Sequence, residues 1–191
     1  MLINISCFNC KLAKGRTVPG GGNTQPKLIV VSDYPGSAET KERKPLIGKS
    51  GQLLRKALKN VVGLDPDLDV FYTNVLKCEP AGNPVTDREL QQCKPWLNKE
   101  LNLVSCKYIL VAGSQAKKIL LPQVTEEVSK IHGQIFQDQL RGYKMLVTWN
   151  PAYIEQFSAF DDKGNRLIQT GSVPWMFMND MKKLKGLLNG T

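Results

Sequence analysis

Residues 28–31, Leu-Ile-Val-Val, form a short β-branched run with no apolar stripe at helical spacing, and such a run reads as a strand buried on both faces in a parallel sheet. The run stops at Ser32-Asp33-Tyr34-Pro35-Gly36. Pro35 fixes its own φ and biases Tyr34 toward extended backbone, while Gly36 permits the reversal that a tight turn needs. The carboxylate of Asp33 is thereby held at the carboxyl end of a central strand, where open α/β sheets bind ligands. Downstream, Gly48-Lys49-Ser50-Gly51 leads into residues 52–62, in which Leu53, Leu54, Ala57, Leu58, Val61 and Val62 recur at helical spacing. Free N–H groups and the positive dipole end at that helix start suit a phosphate. The Gly-Lys-Ser here is not a nucleotide P-loop, because that motif needs a glycine where this chain has Arg43.

The same alternation continues along the chain. Residues 70–75, 107–113 and 144–149 are further strand-like runs. Thr86-Asp87-Arg88-Glu89 is a capping box that starts a helix whose inward stripe is Leu90, Cys93, Leu97 and Leu101. Ser114 can cap a helix over 115–121. Residues 123–140 are weakly patterned, and His132, the single histidine, reads as a loop residue ahead of a site residue. Residues 157–172 read as a polar loop carrying Asp161, Asp162, Lys163 and Arg166, and Pro174 suits the first turn of a final helix with Phe177, Met181, Leu184 and Leu188 as its core stripe. The expected fold is a three-layer α/β/α arrangement around a central, mostly parallel four-stranded sheet, in one domain spanning residues 1–191. Parallel strands would bring Asn74 and Asn83 to the same end of the sheet as Asp33.

A formal charge of +9 favours an acidic partner, nucleic acid being the commonest, against the plainer reading of a solvated basic surface. No apolar run approaches the roughly 18 residues of a membrane span, and residues 1–13 lack the form of a signal peptide. A cytoplasmic, reducing setting is the expectation, in which five cysteines read as ligands or free thiols before disulfides. Cys7-Phe8-Asn9-Cys10 alone fits a zinc half-site, a redox pair, an iron–sulfur half-site or two plain thiols. The basic, glycine-rich residues 11–25 that follow read as poorly structured.

These segments in this order resemble the iron–sulfur uracil-DNA glycosylases usually called family 4. The resemblance runs from Cys7 to about Tyr153 and comprises the N-terminal CxxC, the Asp33-Tyr34-Pro35-Gly36 segment with Glu39 and Pro45, the Gly48-Lys49-Ser50-Gly51 helix start with Leu53 and Leu54, the Asn74 segment through Cys78 to Asn83, Cys93 after the capping box, and Asn150-Pro151-Ala152-Tyr153. It implies that Cys7, Cys10, Cys78 and Cys93 hold a four-iron four-sulfur cluster, although four thiolates also suit tetrahedral zinc. Cys106 has no counterpart and reads as a buried thiol. The resemblance further implies Asp33 and Asn150 as catalytic residues. Tyr34, Leu46 and Asn74 would contact the base, with Asn74 reading the pyrimidine through an amide that donates and accepts at once. Gly48, Lys49, Ser50, Gly51 and Asn83 would grip DNA. A monomer of prokaryotic, archaeal or viral origin, acting on DNA beside a replication or repair partner, is the corresponding expectation.

The chain departs from the family pattern at four positions. Ser32 replaces a glycine, Thr40 an aspartate, Leu46 the phenylalanine that stacks on the extruded base, and Asn150 the histidine that supports the uracil oxygen. Asn150 resembles instead the Asn-Pro-Ser of the mismatch-specific thymine/uracil branch. Two functions therefore follow: a glycosylase acting on uracil or a related altered pyrimidine, or a DNA-binding protein on the glycosylase fold with little catalysis. A zinc-bound basic adaptor is a third, which leaves the ordered motifs unexplained.

Overall fold

The four apolar runs are strands, and they pair with their ends level. The computed structural model describes residues 7, 10–12, 17–157, 159–160, 166–167 and 169–190. A six-stranded sheet has the spatial order β1 (Gly21–Gly22), β3 (Val70–Asn74), β2 (Leu28–Ser32), β4 (Tyr108–Ala112), β6 (Lys144–Thr148) and β5 (Ile135–Gln137). The four central strands are parallel, as expected, and β1 and β5 are short antiparallel edges. The sheet is thus wider than the four strands the sequence suggested. Two- and three-residue edges are too short to show a period, and β1 comes from the glycine-rich stretch expected to lack structure. That stretch is tied down: Thr17 and Val18 are buried, and the Val18 N–H donates to the Lys77 carbonyl at 2.7 Å.

Side chains alternate across β2, as the period of a strand requires. Ile29 and Val31 enter a core with Phe71, Ile109, Val111, Met145 and Val147, covered by α3 (Asp87–Leu103), α4 (Ser114–Leu120) and α5 (Val128–Ile131). Leu28 and Val30 enter the opposite core with Val70, Tyr72, Leu110 and Leu146. That face is covered by α2 (Lys49–Ala57), α6 (Pro151–Gln156) and α7 (Val173–Asn189), through Leu54, Ile154, Phe177, Met181 and Leu184. The three-layer expectation holds. So do the Thr86 capping box, the inward stripe of α3 and the Pro174 start of α7, which Ser172 caps.

Several local expectations change. The helix after Gly48 starts three residues early as α2 and passes into a π-helical turn over Leu58–Val62, ended by Gly63 at φ 86°. A short α1 (Ser37–Glu42) follows the Gly36 turn. Gly113, and not Ser114, caps α4, because the chain must reverse at φ 120° where only glycine is at ease. Residues 123–140 hold α5 and β5, and residues 157–172 hold a small hairpin of β7 (Ala159–Phe160) and β8 (Arg166–Leu167). Asp161, Asp162 and Lys163 lie outside the described residues. Among the described residues, no helix is long and apolar enough to cross a membrane.

Register places the site. Ser32 pairs with Asn74 on one side and Ala112 on the other, and Ala112 pairs with Thr148. Four carboxyl ends therefore lie in one row. The chain leaves β2 for β3 on one side and returns to β4 on the other, which opens a crevice between β2 and β4 at the point where such sheets place ligands.

Candidate active site

Asp33 is the first residue beyond β2, and its carboxylate turns into that crevice. It is buried, with Oδ1 accepting from the Ala116 N–H at 2.8 Å and Oδ2 from the Asn150 amide nitrogen at 2.8 Å. Gly113 clears the space: a Cβ there would lie 2.3 Å from Asp33 Oδ2. Burial raises the Asp33 pKa to about 6, against the Ala116 N–H, the Asn150 amide and the Gln115 and Ser114 N–H groups, which hold it down. The result is a carboxylate that titrates close to neutrality. Asn150 caps α6, its Oδ1 accepting from the Ala152 N–H at 2.8 Å. That bond fixes the amide orientation, so its nitrogen faces Asp33, with a second N–H still to give.

Asp33 forms part of the wall of a cavity of about 550 Å³, within the range of about 300–1,000 Å³ typical of small-molecule sites. Tyr34, Leu46, Ser50, Asn74, Trp149, Asn150 and Tyr153 line it too. Asn74 is 1% exposed, and neither its Nδ2 nor its Oδ1 has a hydrogen-bond partner among the described residues. A buried polar group left so costs about 1–3 kcal/mol. One donor and one acceptor side by side match the edge of a pyrimidine, which also presents a donor beside an acceptor.

Leu46 reaches the cavity on a strained backbone, with φ at 54°. Three neighbours hold it there. Glu39, buried, accepts from the Gly36, Ile47 and Gly48 N–H groups at 3.2, 3.0 and 2.6 Å. Gly51 lets α2 approach, since a Cβ on it would lie 2.3 Å from the Leu46 carbonyl carbon. The Arg55 Nε–H donates to the Leu46 carbonyl at 2.9 Å while its guanidinium lies 4.1 Å from the centre of the Tyr72 ring.

The end of β3 is clamped from beneath. Lys77, 1% exposed, donates from Nζ to the Asn74 carbonyl, Thr73 Oγ1 and Glu100 Oε2, each at 2.6 Å. Glu100 also accepts from the Thr73 hydroxyl and, at 2.8 Å, from the Gly20 N–H. All three ammonium protons are thus used, which is how a buried ion pair escapes its desolvation cost. Opposite, His132 sits in the turn that ends α5, outside the cavity lining, as the loop reading expected: its Nδ1 lies 3.0 Å from Asp180 Oδ1, and the Thr148 hydroxyl donates to Asp180 Oδ2 at 2.7 Å.

Cys7, Cys78 and Cys93 are buried and Cys10 half-buried. Burial pushes the Cys78 thiol up to about 12, and the neighbouring Cys93, Cys10 and Cys7 push the same way. Among the described residues no three ligand-type side chains close on a single ion. The Lys77 N–H donates to Cys93 Sγ at 3.3 Å. Cys106 stands apart, half-buried against Tyr108.

The structure thus brings Asp33, Tyr34, Leu46, Ser50, Asn74 and Asn150 together and leaves other expected residues aside. The Gly48 N–H is spent on Glu39, and Gly51 is buried against Leu46. Lys49 is exposed on α2, beyond the cavity lining. Asn83 is exposed in a turn, its amide donating to the Pro80 carbonyl at 2.8 Å. Sequence reasoning missed Gly113 and Glu100. The first follows β4 as Asp33 follows β2, so the same strand-end rule would have found it. The second is a charge on the inward side of α3, one residue from Leu101, and that position is itself the signal.

Comparison with known proteins agrees with this geometry. Residues 19–169 match the Uracil DNA glycosylase superfamily. A Type-4 uracil-DNA glycosylase of Sulfurisphaera tokodaii is 34% identical over 157 residues, covering 78% of this chain and 70% of that protein. A Type-4 uracil-DNA glycosylase of Pyrobaculum aerophilum is 31% identical over 157 residues, covering 78% and 79%. A DNA polymerase of Bacillus phage SP01 is 26% identical over 184 residues, which are 96% of this chain and 17% of the polymerase. With a carboxylate and an unpaired amide at the switch point of a sheet of this topology, and matches over most of its length, the chain belongs to the uracil-DNA glycosylase superfamily.

Proposed function

We propose that this protein hydrolyses the N-glycosidic bond of uracil, or of a related altered pyrimidine, in DNA. The observation that carries the reading is the buried Asn74 amide without a partner, facing the cavity that Asp33 walls. An extruded pyrimidine satisfies both its atoms, with Leu46 against the ring face and Tyr34 at the mouth. Asp33, ionised, opposes the electron-poor sugar or orients the attacking water, and Asn150 steadies it while its second N–H serves the base oxygen as charge develops. Ser50 and the exposed Lys49 meet the DNA backbone.

Cys7, Cys10, Cys78 and Cys93 fit a four-iron four-sulfur cluster by their chemistry. The set is all sulfur, and the Lys77 N–H on Cys93 is the outer hydrogen bond such a ligand takes. When bound, the cluster is a structural tie; Asp33, Asn74 and Asn150 do the chemistry. The protein acts as a single-domain monomer on DNA. Its similarity to a segment of a phage DNA polymerase supports a setting beside replication.

The test is excision from uracil-containing single- and double-stranded oligonucleotides, read as abasic sites. Wild type should release uracil, and Asp33→Asn should lose about a hundredfold or more in turnover while still binding uracil-free DNA. Intact uracil in bound DNA would replace the enzyme with a DNA-binding module.

A further inference from the structure

Among the described residues the exposed aromatic side chains are Tyr34, Tyr153, Phe157 and Trp175. Tyr34 and Tyr153 line it, and Phe157 packs on Tyr153. Trp149 just before α6, Tyr153 within it and Phe157 at its C-cap are spaced four residues apart, and their rings pack in a row. The ring centres of Trp149 and Tyr153 are 5.3 Å apart with planes 11° from parallel, and those of Tyr153 and Phe157 are 4.7 Å apart at 50°. His132 continues the row inward, 5.3 Å from Trp149 and fixed by Asp180. The row therefore starts at the half-buried His132 and Trp149, passes along the cavity wall and ends at the surface, where Tyr153 is 40% and Phe157 51% exposed.

We propose that this row is a stacking platform for single-stranded DNA, on which the bases flanking the extruded nucleotide continue the stack at Phe157 and the open side of Tyr153. The inference rests on the glycosylase reading for what enters the cavity. A property of bases and two observations support an unpaired strand. Every base has a face for a ring, and base–aromatic stacking is indifferent to sequence. The platform is continuous with the cavity through Tyr153, so a strand that delivers a base inside from this side meets its rings. The chain also carries +9, which suits a phosphate backbone and not an apolar protein surface. In a duplex the flanking bases are already stacked and paired, and the rings have no face to meet. The consequence is a preference for single strands set by α6.

The test measures binding to uracil-free oligothymidine and to a uracil-free duplex, by anisotropy of the labelled DNA. Phe157→Leu keeps an apolar contact with Tyr153 but removes the ring, and Phe157→Tyr keeps the ring. Phe157→Leu and Phe157→Ala should each weaken oligothymidine binding about tenfold, with Phe157→Tyr close to wild type and duplex affinity unchanged in all three. Oligothymidine binding by Phe157→Leu equal to wild type would overturn the platform, and so would an equal loss on the duplex. Because neither probe contains uracil, the result is independent of excision. A protein that shows this pattern yet releases no uracil counts against the glycosylase reading alone.

Discussion

The proposed mechanism needs Asp33 charged in a place where burial opposes charge. Its pKa of about 6 means that the native state holds the proton more tightly than the unfolded chain, whose value lies near 3.8. Ionising Asp33 therefore works against folding, and that opposition builds between about pH 4 and 6 and stays constant above. In the proposed mechanism activity runs the other way, because it uses the charged form. Uracil release should fall on the acid side with a midpoint near pH 6. Asn150→Ala, which removes a hydrogen bond that favours the charge, should move that limb to higher pH. A flat profile between pH 5 and 7.5 would show that the Asp33 charge has no part in turnover. Asp33, Asn74 and Asn150 were legible as candidates because each lies at or just past the end of an expected parallel strand, inside a segment that carries the family resemblance. The contact of Asn150 with Asp33 was not, since 117 positions separate them.

At the scale of elements, the site depends on how firmly the end of β3 is held. Lys77 and Glu100 join that end to α3, and their charges are fully buried. Lys77→Met should cost about 3–5 kcal/mol, because it strands the Glu100 carboxylate in the interior. Lys77→Met with Glu100→Gln should regain part of that stability in urea unfolding. The double variant should still show a raised KM for uracil-containing DNA, since the Asn74 carbonyl loses its anchor. Full recovery of both would mean that the pair does not position the base reader. The capping box of α3 and its apolar stripe were readable because helix signals are local. The edge strands were not, since Gly21–Gly22 is defined only by its pairing with Phe71 and Tyr72.

For the whole molecule, the proposed cluster would join segments far apart in sequence, Cys7 and Cys10 from the amino-terminal region with Cys78 and Cys93. Protein purified without oxygen should be brown and carry iron and acid-labile sulfide, which Cys93→Ser should lose and Cys106→Ser should keep. Colourless, folded protein with one equivalent of zinc would overturn the cluster. The sequence by itself determined the layered fold, the strand ends that carry Asp33, Asn74 and Asn150, and the four thiols, because hydrophobic period, turn residues and residue chemistry are written locally. Only the tertiary structure decided that Gly113 makes room for Asp33, that Gly51 admits the Leu46 backbone, and that Glu39 takes the Gly48 N–H expected for phosphate. These are close approaches between segments, set by strand register and helix packing, and a linear pattern holds no record of distance.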